Sequence, residues 1–418
     1  MRRKVNCRTD RDLVTYLPSE LRALITEQNL VTSNGKKVSF CGVIICGGEI
    51  HTFLPQNSDK PVSNEKECYR VSSQLMKSVH RYSTDKTSKE FSLDEGKECI
   101  GDDRLSLISE LLGDYCANGL YSRRVSQKVL NTGKTDWKRT ITNQLPYQGN
   151  KGPVYLDFNG TKRRYASDCE VARIHARIIR ELDSSFGWII TGSDVSVAKN
   201  IMSVPAPKGT DIAMINTLKK ELRLIYSDRE KRLLKLLIKH LESEHGRDSS
   251  NFIVGLKNYH VLWEHMLDKS LTWGFKVNKL ISSPAYKING KIVSAKNKGQ
   301  RMDTVLHQPH TNKYAVIDAK YYEAQSPQGA PGWPDLVKQF FYAKALSVYD
   351  PFAQINNAFI FPGSGPIESA HMRDPITKKL QDADYPPILC VYVEPILLID
   401  HYVKGKKLEN LSRRLLTF

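Results

Sequence analysis

The stretch RMDTVLHQPHTNKYAVIDAKYYE, residues 301–323, constrains the fold of this chain more than any other. Apolar runs flank QPHTN, residues 308–312, where Pro and Asn suit a turn, so the segment reads as a β-hairpin. Pairing symmetric about residues 310 and 311 sets Asp303 directly opposite Asp318. Opposed Cβ atoms lie about 4.5–5.5 Å apart, and like charges there are destabilising. Two carboxylates in that position require a proton, a cation or a metal between them. Strand alternation also puts Val316, Asp318 and Lys320 on one face, with Ile317 and Ala319 on the other.

Around the hairpin, the spacing of apolar residues predicts helix, strand, hairpin, helix, strand from Tyr259 onward. The first helix, YHVLWEHMLDKSL, has Tyr259, Leu262, Trp263, Met266 and Leu267 as its buried stripe and Glu264 at the stripe's edge. A strand is expected near Phe275 to Ile281. In the second helix, WPDLVKQFFYAKAL, Gln339 shares a face with Asp335, Tyr342 and Leu346. NAFIF at 357–361 and ILCVYVE at 388–394 read as further strands. The expected class is α/β (α+β), a mixed sheet flanked by helices and preceded by a mixed β and helical region.

A lone Asp-x-Lys at a strand end is more often a surface pair than a site, and Glu264 or Gln339 taken singly is an ordinary helix residue. The conjunction carries more weight: an acid on a helix, then Asp, then Asp-x-Lys on a hairpin, then Gln on the next helix. Carboxylates of this kind hold Mg²⁺, substrate phosphate and water completing its octahedron, and an adjacent ammonium can position or activate the attacking water.

In that order, the segment from Tyr259 to Phe361 resembles the PD-(D/E)xK nuclease superfamily. Asp303 matches the first acid, with Met302 where Pro commonly stands, and Asp318-Ala319-Lys320 matches the D-x-K. Glu264 resembles the helix-borne acid of many members, and Gln339 with Tyr342 resembles the trailing Gln and Tyr, here three residues apart instead of four. YHVLWEHML, RMDTVL, VIDAKYY and WPDLVKQFFYAKAL together look like the LlaJI type of restriction endonuclease, a McrC-related group. FCGVI, followed by the strand into Phe53-Leu54-Pro55, is similar to the N-terminal strands of McrC-type subunits.

The resemblance implies a Mg²⁺-dependent endonuclease of double-stranded DNA, with Mn²⁺ able to substitute. It implies a restriction system of phage defence, a GTP-hydrolysing AAA+ partner of McrB type, and dimerisation for double-strand cleavage. Asp303, Asp318, the backbone carbonyl of Ala319 and Glu264 would surround the metal, Lys320 would act on water, and Gln339 would contact phosphate or orient Lys320. Two other readings remain open at this point: a catalytically inactive DNA-binding or assembly subunit, and a basic nucleic-acid-binding regulator. Gly133-Lys134-Thr135 does not form a phosphate-binding loop of the GxxxxGK[ST] kind, because Lys128 stands where the first Gly belongs.

The rest of the chain bears on partners. Lys and Arg outnumber Asp and Glu by 62 to 45, a formal charge of +17, which points to a polyanion. No run approaches the roughly 20 apolar residues of a spanning helix, and no apolar segment follows the basic N-terminus, so a cytoplasmic protein with no membrane partner is expected. The 8 cysteines form no CxxC pair and read as isolated, mostly buried thiols.

Three regions are expected. Residues 1–100 hold a hairpin turning at Gly47-Gly48, a helix over Glu65 to Tyr82 and a polar linker. Residues 101–250 form a basic, mainly helical region. Residues 251–418 form the nuclease domain, with HGRDSSN at 245–251 as the boundary. Between Tyr121 and Arg164 there are ten Lys or Arg and only two Asp, with Tyr121, Trp137, Tyr147 and Tyr155 among them. That segment reads as a winged-helix-like module or a groove tracking phosphates, through Arg123, Arg124, Lys128, Lys138 and Arg139, or as a solvated basic face with its aromatics in the core.

Overall fold

The computed structural model describes residues 3–59, 64–87, 99–166, 168–244, 252–294 and 301–417. It divides into two compact units, one of residues 1–106, 191–194 and 249–418, the other of residues 107–190 and 195–248. The 1–100 and 251–418 regions expected from the sequence therefore share one unit. The expected 245–251 boundary lies outside the described residues, as do residues 88–98 of the expected linker.

The larger unit starts with β1 (Val5–Thr9), α1 (Ser19–Glu27), β2 (Cys41–Cys46), β3 (Glu49–Leu54), α2 (Glu65–Thr87) and β4 (Cys99–Ile100), and α3 (Asp102–Asn118) follows. β2 and β3 form the predicted hairpin, and both turn glycines take positive φ, 58° at Gly47 and 77° at Gly48, as a two-residue turn between twisted strands requires. The smaller unit contains β5 (Arg123–Leu130), β6 (Lys134–Thr135), α4 (Trp137–Asn143), β7 (Tyr147–Gly149), β8 (Gly152–Val154) and β9 (Asn159–Ala166). The helices α5 (Glu170–Thr191), α6 (Asp211–Leu222) and α7 (Asp228–Glu244) complete it. Val171, Ile174, Ile178 and Leu182, which recur at helical spacing, are all buried along α5. The basic segment, however, is mostly strands. β5 pairs with β9 over eight residues, β6 joins β9, and β7 with β8 forms a separate hairpin, so strands carry the basic segment inside the region expected to be mainly helical.

The larger unit resumes with β10 (Phe252–Leu256), α8 (Tyr259–Ser270), β11 (Ala285–Ile288), β12 (Lys291–Ser294), β13 (Thr304–His307) and β14 (Lys313–Ala319). It ends with α9 (Trp333–Tyr349), β15 (Gln354–Pro362), β16 (Ser369–Ala370), β17 (Ile388–Val393), α10 (Pro395–Lys404) and α11 (Glu409–Thr417). Two five-stranded sheets organise it. The first has the order β1-β3-β2-β10-β4, so β10 is an internal strand of the N-terminal sheet, antiparallel to β2 and β4. Gly42 and Gly255 face each other across the β2–β10 pair. A Cβ on Gly255 would lie 2.3 Å from the Cys41 carbonyl oxygen and 2.7 Å from the Phe40 ring, so only glycine permits this approach.

The second sheet has the order β13-β14-β15-β17-β16. β14, β15 and β17 run parallel, and β13 and β16 pair antiparallel at its margins, which is the expected mixed sheet. Phe275 to Ile281 is not the strand anticipated. Trp273 takes φ 62°, Gly274 makes a single bridge to Leu306, and Phe275 N–H donates to the Val305 carbonyl at 2.7 Å, so the chain touches the edge of β13 and turns away. Its side chains still enter the core. Val277 and Ile281 pack with Met302, Val305, Tyr314, Val316 and Leu346 between the sheet and α9.

Candidate active site

The predicted hairpin register holds. Thr304 pairs with Ile317 and His307 with Tyr314, and continuing that ladder by one residue sets Asp303 against Asp318. The loop closes with Gln308 N–H donating to the Lys313 carbonyl at 3.1 Å, while His310 takes φ 60°. On the other side of β14, Lys320 N–H donates to the Ile360 carbonyl at 2.9 Å. Peptide groups alternate along a strand, so the Ala319 peptide turns the opposite way, toward β13. Its N–H donates to Asp303 Oδ2 at 3.3 Å. Asp303, Asp318 and the Ala319 peptide therefore converge where the β13–β14 ladder ends.

Crowding of the two acids appears in the protonation of Asp303. The Asp303 carboxyl is pushed up to about 7 by burial first, then by hydrogen bonding with Asp318 and by the charges of Asp318 and Glu264. Much of the Asp303 residue surface is exposed. Glu264, half-buried on α8, is near enough to act on Asp303 through its charge. The stripe it borders is buried as expected, from Tyr259 to Leu267.

Lys320 lies against Asp318, Nζ to Oδ2 2.6 Å, and its second partner is Asp335. Nζ donates to Asp335 Oδ1 at 2.8 Å. The ammonium also stands 5.8 Å from the centre of the Phe359 ring. Burial alone would lower the Lys320 pKa, but the two carboxylates carry it above its ordinary value, so the group is an ammonium. The sequence places Asp335 on the Gln339 face of its helix but does not assign it to the site. The signal is its position one turn before Gln339, on the helix that crosses from β14 to β15.

Gln339 is fully buried beneath α9, where its Nε2 donates to the Ala358 carbonyl at 3.4 Å and its Oε1 has no hydrogen-bond partner. No contact joins it to Lys320. Tyr342 reaches the site's rim, donating to the Arg301 carbonyl at 3.0 Å, and burial followed by the charges of Asp303 and Asp318 raises its phenol. The opposite face of the strand is anchored to the N-terminal sheet. Tyr321, next to Lys320 and pointing the other way, accepts from Gln56 N–H at 3.0 Å, and its hydroxyl lies 3.4 Å from Cys41 Sγ.

Among the described residues no group of three or more His, Cys, Asp or Glu is placed to hold a metal ion. The donor set here is two facing carboxylates with a peptide group beside them. That set suits Mg²⁺, which keeps several waters and takes one or two carboxylates together with substrate phosphate.

The basic segment belongs to the smaller unit. Trp137 and Tyr147, each 60% exposed, are not in a core, and Leu145, Ile141 and Leu156 are exposed with them, whereas Tyr121 is buried and Tyr155 half-buried. Lys128 and Lys138 are exposed and Arg139 is half-buried. Arg123 is tied to Glu221, Nε to Oε1 3.3 Å, while the side chain of Arg124 lies outside the described part.

Comparison with known proteins agrees with the motifs. A component of the type II restriction enzyme BsuMI, YdjA of Bacillus subtilis (strain 168), is 23% identical over 342 residues, covering 78% of this chain and 72% of the relative. Among solved structures, McrC bound to McrB AAA+ hexamers of Thermococcus gammatolerans aligns at a TM-score of 0.40 and 12% identity, over 96% of this chain and 98% of that one. The McrBC complex of the same organism aligns at 0.25, over 62% of this chain and 84% of that one. Residues 40–394, most of the chain, match the LlaJI restriction endonuclease family, and the chain belongs to it.

Proposed function

We propose that this chain is the DNA-cleaving component of a restriction system, a Mg²⁺-dependent endonuclease with a PD-(D/E)xK-type core acting on double-stranded DNA. The observation that carries the reading is the meeting of Asp303, Asp318 and Lys320 at the ends of two adjacent strands. Surface ion pairs do not need a second acid facing the first, whereas a divalent cation between Asp303 and Asp318 relieves their repulsion. When bound, the cation supplies Lewis-acid stabilisation of the scissile phosphate and lowers the pKa of water. Asp303 and Asp318 would hold it beside the Ala319 carbonyl, and Glu264 would orient water from α8.

Lys320, kept charged by two carboxylates, is suited to positioning water and phosphate. It is not suited to taking the proton while that pairing lasts. Gln339, buried and bonded to β15, supports the seat of α9 and does not reach a phosphate. The curated relative is named as one component of its enzyme, which supports a multi-subunit system here. An AAA+ GTPase partner, dimerisation on DNA and DNA contact through Lys128, Lys138 and Arg139 belong to the same proposal.

The test is cleavage of double-stranded DNA by the full chain with its system partners and Mg²⁺. Asp318→Ala and Lys320→Ala should each lose at least about a hundredfold in rate, with unchanged circular dichroism. Undiminished cleavage in both variants sinks the assignment.

A further inference from the structure

We propose that Asp335 is a positioning residue that holds the Lys320 ammonium and thereby leaves Asp318 available to a divalent cation. The inference rests on the metal-site reading above and adds a residue to it. Asp318 is claimed from two directions, by Asp303 across the hairpin and by Lys320 Nζ at 2.6 Å. An ammonium and a metal ion compete for the same carboxylate. The side chains of Lys320 and Asp318 are each 13% exposed, so water replaces neither partner cheaply.

Asp335 answers this competition. Its Oδ1 accepts from Nζ at 2.8 Å, giving the ammonium a second carboxylate. It stands in the first turn of α9, where the helix dipole favours a negative charge. Gly332, Trp333 and Pro334 before it start the helix, so its place beside β14 is set by the backbone. When a cation engages Asp318, Lys320 can remain in the site, charged and paired. With Asp335 removed, that cation would have to strip a poorly solvated ammonium of its last carboxylate.

The experiment is calorimetric titration of Mn²⁺ into the full chain, comparing wild type, Asp335→Asn, Asp335→Glu, Lys320→Met and Asp335→Asn with Lys320→Met. Asp335→Asn should weaken Mn²⁺ binding about tenfold, and Asp335→Glu should recover most of the loss. In the Lys320→Met background the Asn substitution should change affinity by less than about twofold, because no ammonium remains to be held. A merely structural Asp335 predicts equal losses in both backgrounds, and that result overturns the inference. So does unchanged affinity in Asp335→Asn. Asp335→Ser, suited to a helix start, provides the same comparison should the Asn chain not fold. A wild type whose Mn²⁺ binding survives Asp318→Ala overturns the metal-site reading and this inference together. Binding lost in Asp318→Ala but intact in Asp335→Asn overturns this inference alone.

Discussion

At the scale of single residues, the facing acids make a pH-dependent strain. The Asp303 carboxyl titrates at about 7 in the folded chain against 3.8 ordinarily, so between those values the folded chain binds more protons than the unfolded one. Its contribution to stability is therefore full below about pH 4 and is lost as pH rises through 7. In EDTA, the melting temperature of wild type relative to Asp303→Asn should fall by about 2 °C or more between pH 5.5 and 8. Millimolar Mg²⁺ should restore it at pH 8, since a cation replaces the lost proton. Parallel pH profiles for the two chains in EDTA would show that crowding does not raise the Asp303 carboxyl. This juxtaposition is legible in the sequence because a hairpin with a central turn leaves one register. Asp335 is not, because helix periodicity gives a residue's face but not which strand end that face meets.

At the scale of elements, apolar periodicity locates helices well and the edges of sheets poorly. α8, α9 and the hairpin stand where the spacing puts them. Phe275 to Ile281 has strand-like composition and buries Val277 and Ile281, yet Trp273 at positive φ and the turn after Val277 prevent a ladder. The β5 to β9 segment shows no readable period because its charges mask the alternation of a thin sheet exposed on both faces. No local signal tells that β10 belongs beside β2, since pairing across more than two hundred residues is a matter of tertiary contact. The Gly42–Gly255 approach is where that contact is most constrained. Gly255→Ala should destabilise the chain by about 1–3 kcal/mol in urea, from the clash with the Cys41 carbonyl and the Phe40 ring. Gly290→Ala, at a turn with open space around its Cβ, makes the comparison. Its positive φ of 80° adds a backbone penalty of about 1 kcal/mol but no collision. A Gly255→Ala chain no less stable than Gly290→Ala would remove the case for close packing at the β2–β10 seam.

At the scale of the whole molecule, the facing acids and the basic segment belong to different units. The unit with residues 249–418 carries Asp303 facing Asp318, with Lys320 paired to Asp318 and Asp335, whereas the other unit presents exposed Lys128, Lys138, Trp137 and Tyr147. Exposed aromatics among exposed cations are costly to keep unless a partner covers them, and bases stack on aromatic faces while phosphates take the cations. Lys128→Glu, Lys138→Glu and Arg139→Glu combined should weaken DNA binding at least about tenfold at about 0.1 M salt. The slope of log affinity against log salt should fall by about one for each phosphate no longer neutralised. Mn²⁺ affinity should be unchanged, because these positions lie in the unit that does not contain Asp303 and Asp318. Trp137→Ala should lower DNA affinity with the salt slope preserved, since stacking releases no counterions. An unaltered salt slope in the triple variant would instead assign this surface to a protein partner, and loss of complex formation with the other components of the system would then be the measurable consequence.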